Sequence, residues 1–144
     1  MKNKKITINE MVVNIFNNIM HEEEKALVVG KFKNISLNDM HIIEAIGVDE
    51  PKNMSKIAGI LGITVGTLTI AINNLLKKGY VVRKRSEKDR RVVFISLSEL
   101  GEEAYEHHMR YHREIVERLT EDLTEEEVSV LEKALTHMSE KMNQ

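Results

Sequence analysis

Residues 54–97 carry the pattern that most restricts the fold, because the hydrophobic spacing changes from helical to alternating within one short stretch. Met54–Leu61 sets Ile57, Ala58 and Leu61 on one helical face. Gly62-Ile63-Thr64 follows as a tight turn that ends in an N-cap threonine. Val65–Lys78 then repeats Leu68, Ile72 and Leu75, and Gly79 stands just past its end as a C′ glycine. Residues 80–85 and 92–97 are rich in β-branched and aromatic side chains and predict two strands around a polar, charged turn over 86–91. Two short helices about a glycine turn, followed at once by a hairpin, predict a mainly α fold with a small β-hairpin wing, the winged helix-turn-helix.

The flanking segments read as long amphipathic helices. Over residues 8–29, Ile8, Val12, Ile15 and Ile19 form one stripe that Met11, Phe16 and Met20 widen, with Gly30 as the stop. Ser36 caps a helix over 37–46 closed by Gly47, and Pro51 breaks the connection over 47–53. Ser98 caps a helix over 99–119 with Ala104, Tyr111, Ile115 and Leu119 on one side. Thr124 and Glu127 match a capping box that opens a last helix bearing Val128, Leu131, Leu135, Met138 and Met142. The terminal helices carry more apolar stripe than a small monomeric winged helix needs, which points to a homodimer built on them. The expected organisation is an N-terminal dimerisation helix over 1–36, a DNA-binding region over 37–98 and C-terminal dimerisation helices over 99–144.

Charge tells the same story. The chain's net −2 hides a block of +6 over residues 77–91, set between a neutral first half and a tail of −8. A compact basic block in an otherwise acidic chain suits a localised polyanion contact, double-stranded DNA here. Cysteine is absent, which excludes a disulfide scaffold, a thiol nucleophile and a cysteine zinc site. No apolar run reaches the roughly 18 residues that span a bilayer, and polar residues interrupt the basic start, so a cytoplasmic protein with no membrane partner is expected. There is no phosphate-binding glycine loop and no cysteine, and the carboxylates fall mostly on exposed faces, so the expectation is no enzyme and no cofactor.

With Leu68, Ile72 and Leu75 inward, the second helix of the pair presents Gly66, Thr67, Thr69, Ile70, Asn73 and Lys77 to DNA. Gly66 permits close approach of backbone to phosphate. The threonines and Asn73 suit phosphate or base edges, and Ile70 suits thymine methyls, which predicts an AT-rich operator. On the hairpin, Arg85, Lys88 and Arg90 suit phosphates, and Asp89 can hold the Arg91 guanidinium by a charge-assisted hydrogen bond.

The run from Gly79 to Gly101, with Asp89-Arg90-Arg91 at its centre, resembles the strand, wing, strand and helix start of the MarR family of transcriptional regulators. The resemblance implies a homodimer whose terminal helices interlock, holding two winged helices for consecutive major grooves. It also places Arg91 in the minor groove, and sets Ile70 where many members carry arginine. Residues 39–47, 63–79 and the wing are most similar to the branch that represses fatty-acid-synthesis genes in Gram-positive bacteria. That branch implies a palindromic operator and a long-chain acyl group on acyl carrier protein as co-repressor. Ile19, Glu23, Met40, His41, His108 and His112 then mark a candidate effector region, in which Ile15, Ile19, Met20, Met40 and Ile43 suit an acyl chain. The same region leaves open a zinc-responsive repressor with Glu24, His41, His108 and His112 as ligands. A repressor of a transport or stress operon released by a small aromatic ligand is the other alternative, which the scarcity of aromatic residues disfavours.

Overall fold

The computed structural model describes residues 2–28, 31–32 and 34–144 of the 144-residue chain. In chain order it has α1 (Lys2–Val28), α2 (Leu37–Ile46), β1 (Lys52–Asn53), α3 (Met54–Leu61), α4 (Val65–Lys78), β2 (Val81–Arg85), β3 (Val93–Leu97), α5 (Glu99–Thr120) and α6 (Glu125–Met142). Two compact units result, residues 1–108 and 109–144, and their boundary falls inside α5.

The helix starts follow the caps. Ser36 Oγ accepts from the Asp39 amide at 3.1 Å while the Asp39 carboxylate accepts from the Ser36 amide at 3.0 Å, closing a capping box. Thr64 Oγ1 accepts from the Thr67 amide at 3.2 Å and Ser98 Oγ from that of Gly101 at 3.1 Å. Gly62 and Gly79 end α3 and α4 with φ of 66° and 83°. A side chain in that left-handed region costs roughly 1–2 kcal/mol, so both turns need glycine. Helix α1 begins six residues before the periodic stripe, because Lys2–Thr7 contains no breaker and lysine is a good helix former. Gly30, the expected stop of this helix, lies outside the described residues.

The sheet has the order β1-β3-β2, all antiparallel, with Arg83 opposite Ile95 and Lys52 also opposite Ile95 from the other side. Sequence reasoning assigned residues 47–53 only to a connection. Two residues are too few to show alternation, and β1 exists because the free edge of β3 pairs with it. Asn53 then serves as the N-cap of α3, its Oδ1 accepting from the Lys56 amide at 2.8 Å.

The first unit's core joins Met40, Ile43 and Ile46 of α2, Ile57 of α3, Leu68, Ile72 and Leu75 of α4, and Tyr80 and Ile95 of the sheet, all essentially without exposure. Each such side chain contributes about 1.5–3 kcal/mol of burial. The same packing that hides Leu68, Ile72 and Leu75 turns the other face of α4 to solvent. In the second unit α6 buries none of its side chains, and Val130, Leu131, Leu135, Met138 and Met142 are exposed. Ile8, Met11, Val12, Ile15 and Phe16 of α1 are exposed in the first. These stripes are therefore not core within one chain. No single described helix is long and apolar enough to cross a membrane.

Candidate nucleic-acid interface

The helix-turn-helix consists of α3 and α4, and its outward stripe on α4 runs through Gly66, Thr69, Ile70, Asn73 and Lys77, all exposed. Ile70 is 74% exposed, the highest value for a large apolar side chain in the first unit's described residues, so it does no work in the core. The two threonines differ chemically. Thr69 Oγ1 donates to the Val65 carbonyl at 2.8 Å, which leaves it a methyl group and lone pairs for a partner. The Thr67 hydroxyl instead accepts from Thr64 Oγ1 at 3.0 Å and keeps its own proton to donate.

Strands β2 and β3 carry the turn that sequence reasoning made the wing. Its ends are tied by Ser86 N to Val92 O and by Val92 N to Asp89 O, both 2.9 Å. Asp89 then organises the tip. One carboxylate oxygen accepts from the Arg91 amide at 3.0 Å and from Arg91 Nε at 3.1 Å, and the other accepts from Arg91 Nη2 at 3.2 Å. The two-toothed grip fixes the plane of the guanidinium, whose side chain is nonetheless 91% exposed. Hydrogen bonds from the Arg91 side chain and amide hold the Asp89 carboxyl below its ordinary value. Lys88 and Arg90 flank this tip in solvent, and Arg85 donates to the Arg90 carbonyl at 3.3 Å.

Not every cation of the basic block is free for a polyanion. Lys78 is half-buried and lies 3.5 Å from the Asp39 carboxylate, joining the end of α4 to the start of α2. Arg83 of β2 donates to Asn73 Oδ1 and so braces the middle of the outward stripe of α4. Neither link was foreseen. The clue to Arg83 is its alternation with Val81, which places both on the helix-facing side of β2.

The candidate effector residues are partly brought together. Glu23 of α1, His41 of α2 and His108 of α5 converge, with their possible ligand atoms within 4.8 Å of one another. Glu23 and His108 are 5% and 4% exposed. The His108 Nε2 also lies 3.5 Å from Glu44. Glu24, the acidic ligand expected with these histidines, is exposed and outside the cluster, because one residue along a helix rotates the side chain by roughly 100°. Ile19 is half-buried, whereas Met40 and Ile43 are fully buried core and not open to a ligand in this chain. His112 is a turn further along α5, in the second unit, where its ring packs edge-on against Tyr111. His107 packs on Phe32 with ring centres 5.5 Å apart.

Helix-turn-helix, basic hairpin and outward α4 stripe together define a winged helix-turn-helix protein. The MarR family model matches residues 35–93. Over 94% of this chain and 95% of the other, the fold superposes with a TM-score of 0.90 and 40% identity on Streptococcus pneumoniae FabT, whose crystal structure is of a complex with DNA. The transcriptional regulator SarZ of Staphylococcus aureus is 45% identical over 60 residues, 42% of this chain and 40% of SarZ. An uncharacterised regulator of Bacillus subtilis, YpoP, is 31% identical over 75 residues, 52% of this chain and 53% of YpoP. The chain thus spans about half the length, or less, of the curated relatives it matches. It belongs to the MarR family of transcriptional regulators.

Proposed function

We propose that the protein is a repressor that binds a palindromic, AT-rich operator as a homodimer and controls fatty-acid-synthesis genes, with a long-chain acyl group on acyl carrier protein as co-repressor. The observation that carries the DNA reading is the Asp89–Arg91 fork, which presents an exposed, oriented guanidinium on the hairpin beside α4. The likeness to FabT at 40% identity supports the choice of branch. Exposed Ile70 suits thymine methyls and cannot make the two-toothed guanine contact of an arginine. The exposed apolar faces of α1 and α6 support dimerisation through residues 1–36 and 99–144, leaving 37–98 for DNA. The protein acts by binding and carries out no catalysis. The acylated carrier regulates it by its differential affinity for two dimer states, through the region of Ile19, Glu23, His41 and His108.

Fluorescence anisotropy with an AT-rich palindrome from a fatty-acid-synthesis promoter, in metal-free buffer, tests this. Tightening by long-chain acyl carrier protein, and none by the unacylated carrier, is the expected result. Operator affinity indifferent to the acylated carrier refutes the choice of co-repressor, and equal affinity for a GC-rich duplex refutes the operator.

One observation favours a second reading, a divalent cation as effector: two imidazoles and a carboxylate from three different helices meet at Glu23, His41 and His108. Ligand atoms of a tetrahedral zinc site sit roughly 3.3 Å apart, which small side-chain rotations reach from this arrangement. Zinc binding lost on His41→Ala, together with a zinc-dependent change in operator affinity, would make the cation the effector. Zinc without effect on either removes that reading.

A further inference from the structure

We propose that Arg83 is a positioning residue for base recognition: it fixes the side-chain amide of Asn73 so that α4 meets one base as a hydrogen-bond donor. The inference rests on the DNA reading above. Strand β2 alternates, with Val81 buried against the helices, Val82 outward and Arg83 returned to the helix-facing side opposite Ile95. From there the guanidinium reaches across to Asn73, in the middle of the outward stripe of α4, and donates to its Oδ1.

Chemistry makes this contact directional. A guanidinium has donors and no acceptor, so it tolerates only the amide oxygen and excludes the flipped amide, which would set donor against donor. The oxygen is thereby held toward the strand with one lone pair occupied, and the two Nδ2–H groups are the donors that Asn73 offers to DNA. They suit a base-edge acceptor such as a purine N7 or thymine O4. An unbraced asparagine can also turn to the acceptor-and-donor pair that reads adenine. Arg83 therefore narrows the choice of base without touching the base itself. Both side chains are exposed, so their replacement leaves the core intact.

Duplexes selected from a random-sequence pool by the full-length wild type, N73A, R83M and the double variant supply the test, with affinities on the wild-type consensus measured by anisotropy across a salt series. N73A and R83M should degrade preference at the same position of each half-site, each weakening binding about tenfold, and the double variant should be no worse than either. R83Q keeps a donor and should restore part of the preference. Additive losses, an even loss at every position with a salt dependence smaller by one phosphate, or an N73A consensus identical to wild type each overturn the proposal. Wild-type protein that selects no sequence refutes the DNA reading and this inference together, whereas a normal wild-type consensus with any of those variant results refutes this inference alone.

Discussion

Substituting Gly101 by alanine should destabilise the protein even though it replaces a helical glycine with the best helix former. Gly101 lies in the first turn of α5, where that helix rests on the backbone at the start of the wing. A Cβ there would stand 2.0 Å from the Tyr80 carbonyl oxygen, 3.1 Å from its carbon and 3.2 Å from Leu97 Cβ. The carbonyl cannot step aside easily. It accepts from the Ser98 amide at 2.9 Å, the Tyr80 amide donates to Leu75 O at 3.0 Å, and the ring is 1% exposed with its hydroxyl donating to Asn34 at 2.7 Å. Overpacking costs about 1–3 kcal/mol and the displaced Ser98 hydrogen bond about 1 kcal/mol more. Helix propensity returns at most about 1 kcal/mol, for a net loss of about 1–3 kcal/mol. Urea unfolding followed by circular dichroism, at one protomer concentration because a dimer's stability depends on it, reads this as a lower midpoint at unchanged slope. Gly59→Ala is the internal control. Gly59 is an exposed helical glycine with nothing within 4 Å of a Cβ, so the same substitution should gain about 0.5–1 kcal/mol. If Gly101→Ala matches or exceeds wild-type stability, the close approach of α5 to the wing base is wrong.

Other expected outcomes concern the DNA face and pH. Arg91→Ala should leave the urea midpoint within about 0.5 kcal/mol of wild type, since the side chain is almost wholly exposed, while operator affinity in anisotropy falls about tenfold or more; unchanged affinity removes Arg91 from the interface. Gly66→Ala has no atom nearer its new Cβ than Thr64 Oγ1 at 4.0 Å, so stability should hold or rise while DNA binding weakens, and full binding would refute close backbone approach to phosphate. Burial, with the Asp39 charge adding to it and Lys31 opposing it, raises the Tyr80 pKa above its ordinary 10.0. A raised value means the folded state holds the proton more tightly, so this contribution is complete below pH 10.0 and is lost as pH climbs through the folded value. The wild-type urea midpoint should therefore drop in that alkaline range more than that of Tyr80→Phe, and parallel curves would refute the assignment.

The helix-turn-helix and wing were readable because each boundary is marked by a residue with its own local physics. Thr64 and Thr124 supply cap oxygens, Gly62 and Gly79 supply left-handed turns, and Leu68, Ile72 and Leu75 supply the period. A boundary with no such marker leaves no local signal in the sequence. Helix α1 begins at Lys2 with no cap to announce it, and β1 is two residues recruited by the edge of β3. The Asp89–Arg91 fork was legible as well, since the partners are two residues apart and a tight turn leaves them few other arrangements.

The links that could not be read are those whose partners meet only in three dimensions. Lys78 belongs by sequence to the basic block, yet it pairs with Asp39, far back in the chain. Glu23 and Glu24 are indistinguishable in a run of three glutamates, and only the rotational phase of α1 against α2 and α5 brings Glu23 to His41 and His108. A DNA-facing surface escapes this difficulty, because its side chains must point outward on one regular element and so inherit that element's period. A buried polar cluster draws one residue from each of several elements. Its composition is visible in the chain, whereas its membership depends on packing that no single element specifies.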